Sequence, residues 1–119
     1  MKKIFLALAA STALSTTANG ASWIDPNGNY VGPISSVAVN FFEGIGVGLT
    51  NGVTCNGSPV VYLPYSNAHY KEILATLVAA QASGQEVRMF RIMDTISSFA
   101  GGHSYCTMTS ASIGPFPLW

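Results

Sequence analysis

One run of helical spacing, Ala68 to Ser83, closed by Gly84, constrains this chain more than any other feature. Tyr70, Ile73, Leu74, Leu77 and Gln81 recur at i, i+3, i+4 and i+7, so one large face of the helix must be buried against something else. Ser66 or Asn67 can cap its start by offering a side-chain oxygen to the unpaired N–H groups of the first turn. Gly84 takes the left-handed position that ends it. Everything else after residue 21 reads as short strands and turns, so the partner of that face is a β-sheet.

The flanking text supplies the strands. Ile34 to Phe42 places Val37, Val39 and Phe41 in alternation with smaller or polar residues, as a half-buried strand does. Glu43-Gly44 turns the chain into Ile45-Gly46-Val47-Gly48-Leu49-Thr50. There the apolar residues share one face and the glycines the other, which fits either close approach of a bulky neighbour or an exposed, weak strand. Asn51-Gly52 and Asn56-Gly57 are tight-turn pairs, and Pro59 to Leu63 makes a third strand. After the helix, Glu86 to Met93 reads as a strand with two apolar faces interrupted by Arg91. Asp94 to Ser104 reads as a Ser/Gly-rich loop, and Tyr105 to Ile113 as the last strand. Ser22 to Pro33, with Asp25-Pro26-Asn27-Gly28-Asn29 inside it, reads as an irregular lead-in. Three strands, a helix and two strands is the order of the five-stranded OB-fold barrel, whose open end a helix plugs. The expected class is therefore mainly β with one helix, a single domain over residues 21–119.

The first twenty residues stand apart. Met1-Lys2-Lys3, an uncharged stretch from Ile4 to Leu14 and small residues at Ala18 to Ala21 have the layout of a secretory signal peptide, with cleavage near residues 18–21. Its apolar core of about 11 residues is too short for the ~20 of a membrane span. An exported protein, secreted or periplasmic, is expected. In that setting Cys55 and Cys106 read as a disulfide; the alternative, a two-thiolate metal site, lacks a second Cys-x-x-Cys or a histidine pair. No metal or other cofactor is expected.

Without the leader, Lys71, Arg88 and Arg91 face Asp25, Glu43, Glu72, Glu86 and Asp94, a net charge of about −2. That balance offers no footprint for nucleic acid or anionic lipid. So few charges on so apolar a chain favour burial of surface in an oligomer, a Ser/Thr/Asn/Gly-coated monomer being the alternative. On the helix, Ala75, Ala79 and Ala82 form a second face on which a neighbour can pack closely, although alanine is also simply the best helix former.

Catalytic patterns are missing from the sequence. His69 and His103 are its only imidazoles, no Gly-x-Ser-x-Gly, His-Glu-x-x-His or phosphate loop occurs, and none of the five carboxylates stands in a suggestive context. A non-enzymatic protein is expected.

Tyr70-Lys71-Glu72-Ile73-Leu74, followed by Ala82-Ser83-Gly84-Gln85-Glu86-Val87-Arg88-Met89, resembles the B subunits of the subtilase cytotoxin and typhoid toxin group, and Ile34-Ser35-Ser36-Val37 resembles their upstream strand. The resemblance implies an OB-fold subunit in a ring of five, its helices around a central channel, which binds glycans, often sialylated ones, on behalf of a toxin A subunit. Where those subunits carry a serine that contacts sialic acid, this chain has Asn29-Tyr30-Val31-Gly32. Asn29, Tyr30 and, on the strand after the helix, Phe90 are the candidate sugar contacts, since a sugar needs an aromatic platform and a few fixed polar groups. Tyr30 also fits packing on a barrel rim, and Phe90 fits the core. A glycan-free envelope adaptor or inhibitor is the competing function, because fold alone does not set function.

Overall fold

The computed structural model describes residues 22–99 and 101–114. The expected leader and the tail beyond Gly114 lie outside these residues. Among them are nine strands and one helix: β1 (Trp23–Ile24), β2 (Tyr30–Gly32), β3 (Ile34–Val39), β4 (Gly44–Leu49), β5 (Val60–Pro64), α1 (Tyr70–Ser83), β6 (Val87–Met89), β7 (Ile96–Ser98), β8 (Ser104–Thr107) and β9 (Ala111–Ile113). The mainly β class with one helix is as expected. The pairing forms two sheets, β1-β2-β6-β9 and β3-β4-β5-β8-β7, and does not close into one five-stranded ladder.

Strand β4 is the spine of the larger sheet, buried along its whole length. Ile45, Val47 and Leu49 enter the core with Val61, Leu63, Val87, Met89, Ile92 and Met108. On the opposite face, a Cβ on Gly44 would meet the Tyr62 ring and the Leu63 carbonyl, and one on Gly46 would meet the Phe41 ring at 3.0 Å. The alternate glycines thus admit aromatic side chains against the backbone. These rings extend into a cluster on that outer face. Phe41 lies edge-on to Phe42 and Tyr105, Tyr62 edge-on to Phe99, and Phe42 stacks on Phe99 with centroids 4.7 Å apart.

Helix α1 starts two residues later than the spacing predicts. Neither Ser66 nor Asn67 caps it: the N-cap position is His69, which makes no side-chain capping bond. Asn67 instead builds the preceding turn, its Oδ1 accepting from the His69 N–H at 2.8 Å. Ile73, Leu77 and Ala80 are buried, Tyr70 and Leu74 half-buried, and Gln81 exposed. The buried stripe is therefore narrower and rotated toward Ala80. Gly84 ends the helix at φ 70°, its N–H reaching the Ala80 carbonyl, as the sequence predicts. Ala75, Ala79 and Ala82 are exposed, with Val78 between them.

Cys55 and Cys106 are bonded. The bond ties the turn before β5 to β8, the strand that runs parallel to β5 with Cys106 opposite Val61. A disulfide fits an oxidising compartment. No helix among the described residues is long and apolar enough to cross a membrane.

Candidate functional site

The lead-in that sequence alone leaves irregular is a short hairpin, and its loop makes one wall of a pocket. Asp25 organises the loop. The backbone N–H groups of Asn27 and Asn29 donate to its Oδ1 at 2.9 and 3.0 Å, the Asn29 amide Nδ2 donates to Oδ2 at 3.1 Å, and Gly28 closes the turn at φ 81°. An aspartate at the head of such a turn holds it by bonding the backbone two residues on. From β6, next to β2 in the smaller sheet, Arg88 donates to the same Oδ2 at 3.1 Å. Burial pulls the Asp25 carboxyl upward, but the bonds from Asn29 and Asn27 and the charge of Arg88 together hold it below the usual carboxylate value.

The second wall comes from the residues just after β6. The strand read as Glu86 to Met93 ends at Met89, because Arg91 adopts a left-handed backbone at φ 52° and turns the chain away. Asn29 stabilises that turn: its Oδ1 accepts from the Arg91 N–H at 2.8 Å, while the Gly28 carbonyl accepts from the Ile92 N–H at 3.0 Å. Asn27, Asn29, Phe90 and Arg91 line the resulting cavity of about 320 Å³. The Arg91 guanidinium is largely exposed and pairs with Asp94.

Of the three expected contacts, two meet here. Asn29 and Phe90 line the pocket, but both polar atoms of the Asn29 amide are committed to Asp25 and Arg91, so it shapes the wall. Tyr30 goes elsewhere. It is fully buried, its hydroxyl donating to the Pro33 carbonyl at 2.6 Å and meeting Thr50 Oγ1 at 3.0 Å. It is a core residue that ties the end of β2 to the end of β4.

The sequence alone does not single out Asn27 and Arg91 as lining residues, or Asp25 and Arg88 as their supports. The sequence held a signal for one of them: Arg91 is the residue that interrupts the apolar alternation after the helix. The lining presents an amide at Asn27, a guanidinium at Arg91 and the half-buried ring of Phe90. Such a set can hydrogen-bond hydroxyl or carbonyl oxygens while an apolar face rests on the ring.

His69 and His103 show no catalytic arrangement among the described residues. His69 is exposed on the helix start beside Glu72, with Nδ1 3.2 Å from Oε2, and His103 lies exposed, parallel to the Tyr105 ring. Comparison of the chain with protein-family models, with curated proteins and with solved structures finds no match.

Proposed function

We propose that this chain is an exported, non-enzymatic glycan-binding subunit of the toxin B-subunit type, which anchors a partner protein at cell-surface sugars. The observation that carries the reading is the pocket at Asn27, Phe90 and Arg91. It combines an amide, an aromatic ring and a cation on walls fixed by part-buried hydrogen bonds, the composition a sugar site needs.

The OB-fold reading draws support from the strand neighbours. Only Pro33 separates β2 from β3, so the two serve as one bent strand; β6 and β7, joined through the turn at Arg91, and β8 and β9, three residues apart, are grouped as the interrupted fourth and fifth strands. The neighbours then run from the first strand to β4, β5, the fifth and the fourth, and the β2–β6 pair brings the fourth back to the first. Helix α1 falls between the third and fourth strands of that ring, which is the OB order.

Assembly into a homopentamer draws support from the exposed face Ala75, Val78, Ala79 and Ala82, a strip of small apolar side chains that a second copy would cover. Light scattering on the purified protein gives five times the protomer mass on this reading, and a monomer at micromolar concentration contradicts it. A glycan array tests the binding: hits that Phe90→Ala and Arg91→Ala each weaken at least tenfold are expected. An array without hits leaves the adaptor reading, for which the same uncovered helix face is the favouring observation.

A further inference from the structure

We infer that the aromatic cluster on the outer face of β4 and β5 ends in a second binding surface, at Phe42, Phe99, His103 and Tyr105, which takes the apolar face of a neutral pyranose. The surface stands apart from the pocket at Asn27 and Arg91 and shares with it only the class of ligand.

Packing accounts for part of the cluster. Phe41 and Tyr62 cover the glycines of β4, and their rings are needed there. Phe42 is different. It remains 43 % exposed, stacked on Phe99 at an interplanar angle of 24°. Its backbone sits at φ 50°, in a turn where Asn40 and Glu43 are also left-handed at 58°. Asparagine tolerates that region, but a bulky aromatic does not favour it, and a glycine would fill the same turn without strain. The Tyr62 hydroxyl donates to the Phe42 carbonyl at 2.6 Å and helps hold the strained conformation. A strained residue that keeps a large ring half in water is the kind of outlier that marks a binding site.

The surroundings select the ligand. Arg88 pairs with Asp25 and Arg91 with Asp94, so both arginines of the described residues are held in ion pairs of their own. The charge in the same turn is the exposed carboxylate of Glu43. A phosphodiester or a sialic acid would meet ring faces of negative potential and a like charge. The axial C–H bonds of an uncharged sugar ring, polarised by its oxygens, complement such faces. Glu43 and the exposed imidazole of His103 supply acceptor and donor groups for its hydroxyls at the rim.

The test uses immobilised neutral glycans ending in galactose, glucose or N-acetylglucosamine, with lactose in solution as a competitor, on the wild-type protein and on Phe42→Gly, Phe42→Ala, Phe99→Ala and Phe90→Ala. Phe42→Gly is expected to keep or raise the melting temperature, because it relieves the turn, while neutral-glycan binding weakens at least tenfold in both Phe42 variants and in Phe99→Ala. Loss of binding in the Phe42 variants alone supports the platform and leaves the pocket without support. Loss in Phe90→Ala alone overturns the platform and leaves the pocket standing. A wild-type protein that binds no neutral glycan overturns the inference, as does a preference for sialylated glycans that Phe42→Ala abolishes. A Phe42→Ala protein that breaks the oligomer with glycan binding intact also overturns it, because the surface then belongs to a second copy.

Discussion

Replacing Asp25 by asparagine tests the framework of the pocket with a change of one atom. The carboxylate receives four N–H groups, two at Oδ1 and two at Oδ2. In the amide, Oδ1 still accepts from the Asn27 and Asn29 backbones, but the NH₂ group that replaces Oδ2 faces two donors, the Asn29 amide and Arg88. One neutral and one charge-assisted hydrogen bond are lost. The Arg88 side chain, only 21 % exposed and already without a partner for its Nε, is left without a counter-charge. These losses sum to about 3 kcal/mol. Urea unfolding at pH 7 measures it as a lower midpoint at unchanged slope. The pH dependence follows from the carboxyl being held below its unfolded value. Its contribution is complete above the unfolded pKa of about 3.9 and disappears as the pH falls through the lower folded value, so the gap between wild type and Asp25→Asn starts to narrow below about pH 4 and closes only beneath the folded value. A difference under about 1 kcal/mol at pH 7, or one that persists unchanged at pH 3, would refute this account of the loop.

Other parts of the structure give further checks. Changing both Cys55 and Cys106 to alanine opens a 51-residue separation and is expected to cost about 4 kcal/mol, a fall in Tm of roughly 15 °C or more by calorimetry. Gly44→Ala drives a methyl group to 2.5 Å from the Tyr62 ring and 2.6 Å from the Leu63 carbonyl, so chemical denaturation should show a loss of about 1–3 kcal/mol, whereas an exposed strand would show none. Tyr30→Phe removes a hydroxyl that serves Pro33 and Thr50 and should cost about 2 kcal/mol, with the glycan affinity of the folded fraction unchanged; a weakened affinity would return Tyr30 to the site.

How much of this was legible depended on how local the deciding interactions are. Helix α1 and its stop at Gly84 follow from spacing and from one backbone conformation, both written within twenty residues. The glycines of β4 were readable as a face that admits something bulky, but not that Phe41 and Tyr62 fill it. The failures lie where strands are two or three residues long. Trp23–Ile24 and Tyr30–Gly32 carry too few residues to show alternation, and they become strands because Tyr30 pairs with Met89 and Gly32 with Val87 across the fold. Alternation over Ile34 to Phe42 runs three residues past the end of β3, since the left-handed turn that starts at Asn40 ends the strand. Glu86 to Met93 was likewise cut short by Arg91, whose turn depends on an amide 62 residues earlier. The segment read as a loop after Asp94 contains β7, which owes its pairing to β8, and the last strand breaks between Thr107 and Ala111. The pocket arises where two of these non-local events meet, and for that reason Asn29 and Phe90 were visible as candidates while Asn27 and Arg91 were not.

Glycan binding by the purified protein, compared between wild type and Phe90→Ala with Arg91→Ala, tests the central claim most directly. Binding to one class of glycan that both substitutions weaken at least tenfold, measured per folded molecule, is the predicted result. A wild-type protein that ignores every glycan, or variants that bind as well as it does, would contradict the claim.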